Sequence, residues 1–194
     1  MITKTQLKAI AAFINKKPGT AGSGLTVDYD RSELFATNGP CAVWITNVSG
    51  LDGRGCRIVP LDVVLSAVVL TDSKYVKATE TDFCGIMFEP VNADLFAKNF
   101  RDIFKHESLA LPGRPGLYPS KAIQRIEALD RVFKGESAFI LPTSPDKPLK
   151  FEIQPDFDEV RPDGDNDWEV PTEIVHAAIM PRLDPPLKNT WDGC

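Results

Sequence analysis

The chain has only two histidines, His106 and His176, and three tryptophans among 194 residues. Its four cysteines, Cys41, Cys56, Cys84 and Cys194, are far apart, and no C-x-x-C pair occurs. That spacing fits reduced thiols of a cytoplasmic protein better than a disulfide frame or a zinc site. No apolar run approaches the ~20 residues that a membrane-spanning helix needs. The amino terminus, Met1-Ile-Thr-Lys-Thr-Gln-Leu-Lys8, lacks the basic-then-apolar order of a secretory signal. Positive charge is not in excess either. The formal net charge is -5, which rules out a general basic coat for nucleic acid but not a local basic face. With 43% hydrophobic and 25% charged residues, composition is that of an ordinary soluble domain. Sixteen prolines, most of them in the second half, imply many short elements joined by loops.

Recognised catalytic and ligand signatures fail on specific residues. Gly19-Thr-Ala-Gly-Ser-Gly-Leu-Thr26 is one residue short of a phosphate-binding loop. Leu25 stands where the lysine should be, and a helix precedes the loop instead of a strand. Asp163-Gly-Asp-Asn-Asp167 has the alternating carboxylates of a calcium loop. Its sixth position is Trp168 instead of glycine, and its twelfth is Ile174 instead of glutamate. The residues Asp156 to Glu169 therefore read as a solvated acidic loop. No nucleophile elbow surrounds a cysteine or serine, and nothing in the sequence brings a cysteine to a histidine. His176 falls in an apolar strand and reads as a satisfied, half-buried side chain. The chain is expected to be no enzyme and to carry no metal or cofactor.

Periodicity supplies the elements. Leu7, Ile10, Ala11 and Ile14 predict an amphipathic helix over Thr3 to Lys17, stopped by Pro18-Gly19. Leu25 to Tyr29 alternates as a strand, and Leu34 to Thr46 gives one or two more around Asn38-Gly39. Ile58 to Leu70 is predicted as a short helix, because Pro60 and Asp62 suit a first turn. Tyr75 to Thr79 and Phe83 to Phe88 read as a hairpin. Asn92 is expected to cap a second helix through Lys105, and Ser120 a third helix to about Phe133. Leu109 to Pro119 is a loop or linker. Ala138 to Leu141, Leu149 to Ile153 and Ile174 to Met180 complete the strands. The order, helix then strands repeated once, predicts an α+β fold with antiparallel sheet and helices on one face. The halves fall at 1–110, with 58–110 unplaced, and 111–194.

On the second helix, Lys98, Arg101 and Lys105 recur at spacings of three and four, so they share one face. Phe96, Phe100, Ile103 and Phe104 take the other. This geometry predicts aromatics against the sheet and a basic strip directed outward.

Two short segments carry a resemblance. Ala36-Thr-Asn-Gly-Pro-Cys-Ala-Val43 is similar to the A-T-D-G-H-R-L-A pattern of the DNA polymerase processivity clamp family. Ala36, Thr37 and Gly39 match, Asn38 replaces aspartate, and Pro40-Cys41 replaces His-Arg. The last strand ends Met180-Pro-Arg-Leu183, which resembles the M-P-M-R-L end of bacterial clamps with one residue missing. The resemblance implies a non-catalytic, clamp-like protein whose helices face duplex DNA. It would act as a homo-oligomer and tether a polymerase or another clamp-binding protein. It implies DNA contacts from Lys4 and Lys8 on the first helix, Lys98, Arg101 and Lys105 on the second, and Lys121 and Arg125 on the third. It also implies a partner-peptide pocket bordered by Met180, Pro181 and Leu183. The family's subunits have two or three domains, whereas this chain has room for one full domain plus an interruption, or for two trimmed ones. An alternative of another class is a compact inhibitor or adaptor acting through the acidic loop; on either reading the small size suggests a phage-encoded protein.

Overall fold

The computed structural model describes residues 1–17, 22–70, 74–104, 118–140, 147–154 and 173–181. The acidic loop, Lys105, Arg182 and Leu183 lie outside these residues.

Ten strands and four helices are present among the described residues, in an α+β arrangement. In chain order they are α1 (Lys4–Ala11), β1 (Gly24–Asp28), β2 (Glu33–Thr37), β3 (Cys41–Thr46), β4 (Cys56–Pro60) and α2 (Leu61–Leu70). There follow β5 (Asp82–Phe83), β6 (Ile86–Met87), β7 (Val91–Asn92), α3 (Asp94–Asp102), α4 (Ser120–Phe133), β8 (Glu136–Ile140), β9 (Leu149–Gln154) and β10 (Ile174–Ile179). Eight strands form one antiparallel sheet in the order β7-β4-β1-β2-β3-β10-β9-β8, while β5 and β6 form a separate hairpin. The halves expected at 1–110 and 111–194 share this sheet. They join where β3 pairs with β10, from Cys41 opposite Ile179 to Thr46 opposite Ile174.

Alternation along the strands divides the core in two. Leu25 and Val27, Leu34 and Ala36, Val43 and Ile45 point to the face covered by α1, α2 and α4. Leu7 and Ile10 from α1 and Ile126 and Leu129 from α4 fill that layer. Phe35, Ala42, Cys56 and Ala178 point to the other face, where Ala97, Phe100 and Phe104 of the α3 segment cover them. The central strands are therefore buried on both sides, which explains why β1 shows no polar alternation in burial. Helices lie on both faces of this sheet, a departure from the expected single helical layer.

Local chemistry sets several boundaries. Thr3 caps α1, accepting from Gln6 N–H at 3.3 Å while Gln6 Oε1 accepts from Thr3 N–H at 2.7 Å. The helix stops at Ala11, short of the expected Lys17, because the chain turns to bury Phe13 and Ile14. Residues 58–70 divide into strand and helix: β4 runs through Pro60, and α2 starts at Leu61. Tyr75 to Thr79 contributes only isolated bridges, and the hairpin is the short β5–β6 pair. Its turn residues Cys84 and Gly85 both have positive φ, 57° and 85°, as a type I′ turn requires. Asn92 lies in β7, and its Oδ1 accepts the Asp94 N–H at 3.0 Å, so its side chain still serves the start of α3. Ser120 is the first residue of α4, after Pro119 at the cap position.

Candidate nucleic-acid interface

Two helices carry basic residues on the same face of the sheet. α1 presents Lys4 and Lys8 and contains no acidic residue. α4 presents Lys121 and Arg125, with Arg131 in its last turn, and also carries Glu127 and Asp130. The helices touch: Gln6 Nε2 donates to the Val132 carbonyl at 3.3 Å, and Leu7, Ile10, Ile126 and Leu129 share one core. Lys8 and Lys121 are exposed, and Lys4 and Arg125 are half-buried. Arg125 leans over the start of β3, its Nη1 3.5 Å from Cys41 Sγ. Apolar positions at helical spacing bury one side of each helix, which leaves the lysines on the opposite side.

α3 is on the other face, so Lys98 and Arg101 cannot join Lys4, Lys8, Lys121 and Arg125 on one surface. Lys98 is exposed. Arg101 does not point outward with it, as the spacing predicted. Its guanidinium turns to the sheet and binds Glu33, Nε to Oε2 at 2.9 Å, and Asp28. Asp28 and Glu33 are 4% and 7% exposed, so the arginine neutralises two carboxylates that the sheet takes out of water. Burial lowers the arginine's pKa, but the hydrogen bonds it donates to Glu33 and Asp28 outweigh it and leave the pKa raised. The same guanidinium lies 5.0 Å from the Phe35 ring centre. Phe96 and Phe100 do face the sheet as expected, with Phe100 edge-on to Phe35 at 5.2 Å.

The α3 face holds most of the remaining chemistry. Trp44 on β3 stacks on Phe35 and on His176, the latter at 4.8 Å between ring centres. His176 lies opposite Trp44 and Glu152 in the strand register, and its Nδ1 is 2.9 Å from Glu152 Oε2. Trp44 Nε1 and Thr26 Oγ1 are buried with no partner among the described residues. Burial, then a hydrogen bond with Asp28, pushes the Cys56 thiol up to about 12. That suppresses the thiolate a nucleophile would need. Cys84 is also raised, chiefly by burial. Among the described residues no group of three histidine, cysteine, aspartate or glutamate side chains is placed to hold a metal ion. No described helix is long and apolar enough to cross a membrane.

At the carboxyl end of β10, Met180 and Pro181 are half-buried. The Met180 N–H donates to the Pro40 carbonyl at 2.8 Å, which seats this end against the β2–β3 turn. The two segments quoted from the sequence are thereby neighbours in space. The Arg101 cluster was not foreseen, since Asp28 and Glu33 are 73 and 68 residues away in the chain.

No protein-family model and no curated protein matches the sequence. Similar solved structures include two bacterial proteins. The DNA polymerase III subunit beta from Pseudomonas aeruginosa gives a TM-score of 0.46 at 11% identity, over 93% of this chain and 65% of that one. The beta subunit from Thermotoga maritima gives 0.35 at 15% identity, over 78% of this chain and 45% of that one. This chain thus spans less than two thirds of the length of either protein.

Proposed function

We propose that the protein is a non-catalytic, clamp-like factor that holds duplex DNA against its α1–α4 face and tethers a replication protein. The carrying observation is the pairing of two packed helices that bear exposed Lys8 and Lys121 and half-buried Lys4 and Arg125, in a chain of net charge -5. A basic strip confined to one face attracts phosphates there, while the acidic remainder keeps duplex from binding elsewhere. Such contacts release counterions without reading base sequence, so the protein can shift along the duplex. Lys98 belongs to the opposite face and serves as an internal control. Arg101 is left out of the DNA-binding set, since its charge is consumed by Asp28 and Glu33.

For the protein partner we propose the end of β10. Met180 and Pro181 lie beside Pro40 of the β2–β3 turn, and Leu183 continues the segment. Half-buried apolar side chains at a sheet end suit a short apolar peptide of a polymerase or another DNA-handling protein.

The test is fluorescence anisotropy with labelled duplex at low and moderate salt. The combined variant Lys4→Glu, Lys8→Glu, Lys121→Glu, Arg125→Glu should lose binding, and Lys98→Glu should retain it. Equal loss in both, or wild-type protein that ignores duplex at low salt, overturns the DNA reading.

A further inference from the structure

α2 departs from the usual pattern of a surface helix. Val64 and Ala67 make its inner side and are buried in the core. At helical spacing the outer side then carries Asp62, Leu65, Ser66 and Val69, with Leu70 beside them. Polar and charged residues ordinarily fill that side. Leu65, Val69 and Leu70 instead keep 49%, 75% and 73% of their surface exposed. Met87 of β6, which packs beside α2, is 70% exposed. Exposed apolar side chains gathered in this way mark an interaction surface.

The charges bordering this row are one-sided. α1 packs against both α4 and α2. Gln6 reaches α4, and Lys4 and Lys8 lie nearly opposite Gln6 round the helix, on the side toward α2. Thr3, the cap of α1, bridges to Tyr75, just past the end of α2. Exposed Lys74 sits at this corner, its Nζ 5.1 Å from the centre of the Tyr75 ring. Lys4, Lys8 and Lys74 therefore edge the apolar row, and Asp62, in the first turn, is the one carboxylate on α2.

We propose that this surface receives an amphipathic helix of a partner protein. The partner's apolar face would lie on Leu65, Val69 and Leu70, and aspartates or glutamates along its edge would meet Lys4, Lys8 and Lys74. Laying an apolar helix face into an apolar groove is a general mode of recognition. Charge selects the occupant. A second copy meeting this surface through a two-fold contact would bring the same lysines against their twins. An anionic membrane is opposed by the net charge of -5, and the row offers no aromatic side chain to seat in a lipid interface. An acidic helix covers the apolar area and neutralises the border together. Met180 and Pro181 take no part, since they lie at the end of β10 beside the β2–β3 turn. Leu65, Val69 and Leu70 offer nothing to a phosphate, so the docking surface stands whether or not α1 and α4 hold duplex.

The test is fluorescence anisotropy without DNA, using two labelled helical peptides of about 18 residues, long enough to be helical alone. Both carry leucines at helical spacing on one face. One has glutamates flanking the leucines and the other has lysines there. The glutamate peptide should bind the wild-type protein and the lysine peptide should not. The double variant Leu65→Ser, Val69→Ser should weaken the glutamate peptide by about tenfold or more, as loss of two apolar contacts requires. Circular dichroism checks that it is folded. The double variant Lys4→Glu, Lys8→Glu gives a readout that misfolding cannot imitate: it should lose the glutamate peptide and gain the lysine peptide. Failure of the glutamate peptide to bind, equal binding of both peptides, an unaffected serine variant, or charge reversal without the exchange of preference overturns the proposal. So does wild-type flotation with phosphatidylserine vesicles that the serine variant loses, which would assign the surface to a membrane. A wild-type mass above one chain that falls to one chain in the serine variant also overturns it, in favour of a second copy.

Discussion

Arg101 is where one side chain has the largest structural consequence. It sits between Asp28 and Glu33, both nearly inaccessible, and removing it leaves two carboxylates buried without a counter-ion. Arg101→Ala should lower stability by about 3 kcal/mol, the usual scale for breaking a buried pair from one side. Urea unfolding measures this, and a change near zero would mean that water already reaches the carboxylates. Asp94 works by a different route. Hydrogen bonds from the Asn92 side chain and the Cys56 N–H hold its carboxyl below the ordinary carboxylate value. Its support for the start of α3 is present above that ordinary value and is lost as pH falls through the lowered one. Trp44 fluorescence should therefore report loosening of the α3 face on acidification, and Asp94→Asn should remove that step. Cys56, with its thiol pushed up to about 12, should resist alkylating reagents at neutral pH until the protein is unfolded. Spacing alone placed Arg101 beside Lys98. Spacing carries no information about carboxylates on distant strands, so the ion cluster was illegible in the sequence.

At the scale of elements, α4 and α3 should behave as separate units of one protein. Leu129 is fully buried between α4, α1 and the sheet, so Leu129→Ala should cost about 3 kcal/mol and weaken the proposed DNA face with it. Phe100→Ala opens the opposite layer at a similar cost of about 3 kcal/mol, yet should leave duplex affinity unchanged in the folded protein. Comparing denaturation with anisotropy for the two variants separates the faces. Amphipathic spacing made α1, α3 and α4 readable, and the alternation in β1 to β3 gave the strands. β4 and α2 were merged because a run of β-branched apolar residues suits either state, and only the β1 ladder distinguishes them. β7 was missed because two residues after a proline carry no periodic signal.

For the whole molecule, one continuous sheet predicts one melting transition. Far-UV circular dichroism and tryptophan fluorescence should give coincident curves, because the strands of 1–110 and 111–194 pair through β3 and β10. Duplex affinity should fall with salt at a logarithmic slope of about -0.9 for each phosphate engaged, hence no steeper than about -3.6 for one copy using its four basic side chains. A flat salt profile would remove phosphate contact as the mechanism. Helix–strands repetition made the α+β class legible. The placement of α3 against the other face was not, since nothing in a helix's own sequence says which side of a sheet it will cover.

The β3–β10 seam also sets an order of events in the cell. A ribosome makes β3 early, by Thr46, but its central neighbour emerges only with Ile174–Ile179. Until then the nascent chain has an open β3 edge carrying Val43, Trp44 and Ile45, which the finished protein encloses. A bare apolar edge of this kind invites wrong strands while synthesis continues. Closing so long a loop is slow compared with local helix formation. The chain should therefore depend on holding chaperones during translation, and truncated products that stop before β10 should accumulate in aggregates.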